Sequence, residues 1–387
     1  MLRKRRLAQA IGLVLISVLG TGGWAVENVQ KAVTTPPPGA AAWRADHSLS
    51  RSLPDPATAS PAAVARFFAS LTDAQQRDVA RRHPLTVGNL DGAPISLRYR
   101  ANFLAIKAEK AALERSDPTA RQEGQSAARY ADLLRPGRQI LAFDPRGRGQ
   151  IAEVYGNLET ARRTAVVVPG SDIDLGSFDR AKDPYGTPSR MAQTLHAKMA
   201  ENAPATPTAV IAWAGYTTPV GLGPDAATGR LAEAGAPRLN RFLAGLKATG
   251  AAAPTVLCHS YGSVLCGVAA PAMAPGTASD LVFLASPGTR TDTAAELGTT
   301  ARVWAARDAT DWIGDVPHLR LLGLGHGADP TDPAYGARRV SADRAEGHTG
   351  YFAPGTDSLD NFADIVLGAY SAVHCAADDQ ECRHDLG

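Results

Sequence analysis

The chain has 387 residues, 44% of them hydrophobic and 20% charged, enough for a sizeable core in one large domain with appendages or in two ordinary domains. Its formal net charge is +2 with both signs interspersed, which excludes a basic nucleic-acid footprint and an acidic interaction tail.

Arg3, Lys4, Arg5 and Arg6 precede the apolar run IGLVLISVLG, so residues 1–26 read as a signal peptide or a membrane anchor. No small-x-small cleavage site follows, and the anchor therefore stands beside the cleaved signal. Either form delivers the rest of the chain to an extracellular location or to the outer face of the plasma membrane. Residues 27–60 contain TTPPPGAAA and SLPDPATASP and read as a Pro/Ala-rich linker. Residues 61–135 form a helical N-terminal region. VARFFASLTDAQQRDVARR has apolar residues near helical spacing with a start signal at Thr72-Asp73, His83-Pro84 stops it, VGNLDGAP is a turn cluster, and RYRANFLAIKAEKAALERS resumes as helix.

From residue 136 to 374 the pattern becomes α/β. The short runs QILAFDP, QIAEVYGN, TAVVVPG, TAVIAWAGY, TVLCHS, DLVFLASPG and ARVWAARD alternate, after the first two, with helical stretches such as SRMAQTLHAKMAEN and RLNRFLAGLKATG. The later runs are continuously apolar, as parallel strands covered on both faces are. The first two are joined by PRGRG and read as an antiparallel hairpin. An antiparallel start followed by a doubly wound parallel sheet is the order of an α/β-hydrolase fold. Residues 375–387 form a polar C-terminal tail.

The stretch TVLCHSYGSVLCG places Ser260 between an apolar strand and a helix, where a nucleophile elbow holds its serine. Gly262 matches the later glycine of the Gly-x-Ser-x-Gly pattern, but Cys258 replaces the earlier one. A serine hydroxyl needs a base, and the base an orienting acid, in the chain order serine, acid, histidine. His348, in EGHTGYF between the last strand ARRVSA and the helix SLDNFADIVLGAY, is the first choice. His326, after LRLLGLG, is the alternative. His374 and His384 lie too late. In ARVWAARDATDWIGDVP, Asp311 fits the acid best and Asp308 is its rival, the loser capping the following turn. An oxyanion hole needs two backbone donors, expected from Tyr261 at the start of the elbow helix and from Ser171 or Asp172 in PGSDIDLGSF. Trp213 and Tyr216 are candidates for the acyl side of the site or for core packing.

The chain has four cysteines. Cys375 and Cys382 bracket CAADDQEC and suit a small disulfide loop, while Cys258 and Cys266 flank Ser260 and either staple the elbow or pack beside it. There is no C-x-x-C pair, so a zinc site is not expected, nor is a cofactor.

The ordered set VVVPGSDIDLGSF, AVIAWAGYTTP, LCHSYGS, ARDATDWI and GHTGYF resembles an actinobacterial α/β-hydrolase family, formerly a domain of unknown function, over roughly residues 60–370. The resemblance implies a serine nucleophile in the His-Ser-Tyr-Gly turn at Ser260, with acid and base near Asp311 and His348. The expected activity is hydrolysis of a carboxylic ester, a small-molecule ester or a lipid ester if the enzyme stays near a membrane. The alternatives are a peptidase or acyltransferase with the same residues, and a non-catalytic envelope-associated binding protein that keeps the fold.

Overall fold

The computed structural model describes residues 29–115 and 126–386, so the signal or anchor segment 1–26 lies outside the described residues. The apolar runs become strands β1 Gln139–Asp144, β2 Gln150–Gly156, β3 Arg163–Val168, β4 Thr208–Ala214, β5 Thr255–His259, β6 Asp280–Leu284 and β7 Arg302–Ala306, with a two-residue edge strand β8 Arg338–Arg339. They form one sheet in the order β1-β2-β4-β3-β5-β6-β7-β8. The β1–β2 and β2–β4 pairs are antiparallel and every other pair is parallel. This is the α/β-hydrolase fold.

Side chains on neighbouring strand positions point to opposite faces, and both faces are covered. Val167, Val210 and Leu257 pack with Met191, Leu195 and Phe362, from the helices Pro188–Asn202 and Asp357–Leu367. Val166, Ile211 and Val256 face the other way, against Leu239, Leu243 and Val264 of the helices Arg230–Ala248 and Tyr261–Ala269. All residues of β4, β5 and β6 are buried, which is why these strands read as unbroken apolar runs.

The N-terminal helices have their own apolar cluster, with Trp43, Phe68, Val79, Val87 and Leu97 at its centre. The pattern around Thr72 resolves into two helices, Pro61–Ala69 capped by Ser60 and Asp73–Arg82 opened by a Thr72/Gln75 capping box. The turn expected at VGNLDGAP begins later than anticipated. Pro84, which ends one helix, opens the short helix Pro84–Gly88, because proline's missing N–H costs nothing at the first helical position.

Residues 29–60 depart from the linker reading because they are packed onto the protein. Trp43 is fully buried and donates its indole N–H to the Pro54 carbonyl at 2.7 Å, and Asp46 contacts both His83 and Arg82. The segment holds one short helix, Ala40–Arg44, and is docked further by the Val33 N–H on Thr217 and by Arg146 on Thr35. At the other end, Cys375 and Cys382 are joined in a disulfide, and Arg339 of the edge strand reaches Asp378 inside that loop.

Candidate active site

β5 delivers its carboxyl end at His259, and the helix Tyr261–Ala269 leaves immediately afterwards. Between them Ser260 has φ 54° and ψ −127°, a conformation that non-glycine residues avoid and that points to a site where strain is held by its surroundings. Several contacts hold it. The Ser260 N–H donates to the Leu284 carbonyl at 3.0 Å, the Ser263 N–H to the Ser260 carbonyl at 2.8 Å, and the Ser263 hydroxyl to the Cys258 carbonyl at 2.8 Å. Gly262 is required for closeness, since a Cβ there would lie 2.6 Å from the Val168 carbonyl oxygen. At the position of the missing glycine, Cys258 is disulfide-bonded to Cys266 across the turn.

Three loops from distant parts of the chain converge on Ser260. His348 brings Nε2 to 2.8 Å from Ser260 Oγ and Nδ1 to 2.9 Å from Asp311 Oδ1. An ionised carboxylate only accepts, so the proton sits on Nδ1 and leaves Nε2 free to accept from the serine hydroxyl. Asp311 has a fully buried side chain and also accepts from the Ile313 N–H and the Tyr351 hydroxyl. Burial alone would raise its pKa, but the hydrogen bond and charge of His348 and the other donors outweigh it, and the carboxyl is held below its usual range. Tyr351 joins both candidate acids. Its hydroxyl donates to Asp311 at 2.8 Å and accepts the Asp308 N–H at 2.9 Å, and burial, followed by the Asp311 charge, keeps it protonated.

His259 supports the same loop from below, donating Nε2–H to the His348 carbonyl at 2.7 Å. Burial and then the adjacent His348 push its pKa down to about 3, so it is a neutral donor. The ring of Trp312, 43% exposed, lies 4.7 Å from the His348 ring on the solvent side.

The remaining expected residues fall as follows. Asp308 accepts from the N–H and hydroxyl of Thr310 and caps its own turn rather than meeting a histidine. His326 is not brought to Ser260. Its Nε2–H donates to the Ala226 carbonyl at 2.7 Å, its ring stands edge-on to Tyr261, and burial lowers its pKa to about 4. Tyr261 heads the elbow helix, where the first N–H groups lie outside the intrahelical ladder, and its hydroxyl donates to the Thr228 carbonyl. The loop after β3 reaches the elbow through Gly170, where a Cβ would lie 2.6 Å from Ser260 Cβ and 3.0 Å from the Tyr261 nitrogen. Ser171 follows it, and its N–H makes no hydrogen bond among the described residues. The Asp172 N–H is engaged by the Pro219 carbonyl, which withdraws it as a donor. Trp213 and Tyr216 are core residues, each 2% exposed and stacked on one another, with the Tyr216 hydroxyl bound to the Pro169 carbonyl.

Tyr351 and His259 are not singled out by the sequence, whereas Gly170 stands in the oxyanion loop as a residue that permits close approach. Tyr351 lies three residues beyond His348 in the same motif, and that proximity was the available signal. No group of three or more His, Cys, Asp or Glu suited to a metal ion occurs among the described residues.

The sheet order and the elbow at the end of β5 place this chain in the class of α/β-hydrolase folds. Residues 144–321 match a family model described as "Alpha/beta hydrolase", a span that includes Ser260 and Asp311 and stops short of His348. The chain is also 30% identical over 404 residues to two Mycobacterium tuberculosis proteins, "Uncharacterized protein MT2140" and "Uncharacterized protein Rv2079", with 87% of this chain and 60% of each relative covered. The chain thus spans 60% of the length of these curated relatives. Among solved structures, a protein from Thermoplasma acidophilum described as a "predicted CIB-like hydrolase" is similar at 13% identity and TM-score 0.36, covering 59% of this chain and 95% of its own. Esterase PE8 is similar at 17% identity and TM-score 0.35, with 55% and 96% covered.

Proposed function

We propose that the protein is an exported serine hydrolase that cleaves carboxylic esters. The observation that carries this reading is the continuous hydrogen-bonded chain from Ser260 Oγ through His348 to Asp311. In the proposed reaction Ser260 Oγ attacks the ester carbonyl carbon while His348 Nε2 takes its proton. Asp311 holds the imidazole in the required tautomer and stabilises the imidazolium. The amides of Tyr261 and Ser171 receive the developing oxyanion, with the glycine at 170 leaving room for the carbonyl. Collapse of the tetrahedral intermediate expels the alcohol, which takes the proton from His348. Water, deprotonated by His348, then attacks the acyl-enzyme and frees the acid and Ser260. An ester is favoured over an amide because the acyl-enzyme route proceeds most readily with a good leaving group. Export rests on the basic-then-apolar N-terminus together with two disulfides, which persist in oxidising compartments.

The test is labelling with a fluorophosphonate probe and turnover of p-nitrophenyl esters. Wild type is labelled and active, Ser260→Ala is neither, and His348→Ala and Asp311→Asn lose turnover. Folded wild-type protein that takes no label would overturn the reading. Full activity in His348→Ala with loss in His326→Ala would reassign the base.

A further inference from the structure

The large apolar side chains left exposed are not scattered. Among the described residues they are Val29, Phe103, Leu222, Trp312, Leu319, Leu321 and Leu322, and all but Phe103 lie on segments that contacts tie to one another or to the loops around Ser260 and His348. Leu222 is 77% exposed between Gly221 and Gly223, on a loop whose Gly221 N–H donates to Asp172, two residues beyond Gly170. Leu319, Leu321 and Leu322 are 45%, 65% and 94% exposed on the following tip. That tip returns through Gly325, whose N–H donates to the Ala227 carbonyl, next to the Thr228 carbonyl that accepts from Tyr261. The two tips are therefore tied together on the rim of the site, and Trp312 lies against His348 at the same rim.

Val29 and Gln30, the first described residues of the chain, fall on this rim as well. The Gln30 N–H donates to Asp225, three residues from Leu222, and the Gln30 carbonyl accepts from Arg230. Eight residues separate Val29 from Gly20 at the end of the apolar run IGLVLISVLG, a reach of at most about 30 Å in extended chain.

We propose that this rim docks on a lipid bilayer, so that the ester reaches Ser260 from the membrane surface. The second part rests on the serine-hydrolase reading above, and the docking itself does not. Leucines on two narrow tips, Leu222 between glycines and Leu319, Leu321 and Leu322 ahead of Gly323, suit insertion to roughly 5–10 Å among head groups and acyl chains, whereas a folded partner takes a contiguous face of about 800 Å². Arg320 lies between the leucines, but Asp172 and Asp315 are exposed on the same side, so burial of apolar surface rather than charge drives the docking.

All four cysteines are in disulfides, so a single introduced thiol can carry an environment-sensitive fluorophore. The full chain is labelled at Leu322→Cys, and separately at Glu201→Cys at the far end of the helix Pro188–Asn202, then mixed with phosphatidylcholine–phosphatidylglycerol vesicles. The expected result is a blue shift at position 322 and none at 201. No shift at 322, or an equal shift at both, overturns the docking. A shift at 322 that grows with protein concentration without vesicles assigns the rim to a second copy of the chain and also overturns it. In parallel, Leu319→Asp/Leu321→Asp/Leu322→Asp lowers hydrolysis of a vesicle-embedded ester by about tenfold or more while sparing a soluble p-nitrophenyl ester. Equal rates on the embedded ester overturn the membrane-presented substrate. Absence of hydrolysis of both esters by wild type overturns the hydrolase reading, and the fluorophore at 322 still decides the docking.

Discussion

Cys258, the penultimate residue of β5, is covalently joined to Cys266, in the helix that leaves Ser260, so a covalent loop spans the strained serine. Both cysteines are fully buried. The bond closes a loop over a sequence separation of 8, for which the chain-entropy account gives about 2–3 kcal/mol. It also opposes relaxation of the φ 54° conformation at Ser260. We expect Cys258→Ala/Cys266→Ala to lower stability by that amount in urea unfolding and to reduce kcat more than it changes KM. Unchanged kcat in the stably folded double variant would show that the bond stabilises the fold without shaping the elbow.

Gly170 packs directly against the elbow. A methyl group there would stand 2.6 Å from Ser260 Cβ and 2.9 Å from Oγ, and both belong to a rigidly held turn that cannot yield cheaply. Gly170→Ala should therefore lose about 100-fold or more in fluorophosphonate labelling rate, as a small misplacement of reacting groups does. Circular dichroism checks that the sheet survives. Labelling at the wild-type rate would mean that the loop after β3 moves freely away from the serine.

Tyr351 is the shared partner of Asp308 and Asp311, and phenylalanine fits its buried site without the hydroxyl. Tyr351→Phe leaves the Asp308 N–H and one lone pair of Asp311 unsatisfied, a loss of about 1–3 kcal/mol in stability. Its effect on turnover passes through the orientation of Asp311. We expect kcat to fall by roughly tenfold at constant KM. A raised KM with unchanged kcat would instead place Tyr351 in substrate binding.

The strands were legible because β4, β5 and β6 are buried on both faces and wrote themselves as unbroken apolar runs. The elbow was legible because its turn lies between such a run and a helix. Asp311 and His348 could be ranked from position alone, but a histidine after an apolar run, His326, looked much the same. Only the fold reveals that His326 spends its N–H on the Ala226 carbonyl. Trp43 and Asp46 were hidden by proline-rich composition, since their partners Pro54 and His83 become neighbours only after folding. The role of Cys258 was open for a similar reason, because sequence cannot tell a small core residue from half of a disulfide.

Burial lowers the pKa of four histidines, His196, His259, His318 and His326, and His259 and His326 are shifted furthest. Burial lowers His259 to about 3 and His326 to about 4, against about 6.5 in the unfolded chain. Below about pH 6.5 the unfolded state therefore binds protons that the folded state refuses. The stability that these neutral histidines contribute is complete above that pH. It is lost as pH falls towards about 4 for His326 and about 3 for His259, at roughly 1.4 kcal/mol per pH unit for each. Asp311 acts in a different window. Its carboxyl is held below the usual range, so its contribution is present above about pH 4 and is lost only under more acid conditions. Unfolding free energies from urea titrations should fall below about pH 6.5, with His259 and His326 each contributing about one proton to the slope. His259→Gln, whose amide can still donate to the His348 carbonyl, should remove about one proton from that slope. An unaltered slope in this variant would mean that His259 takes up its proton without opening the fold.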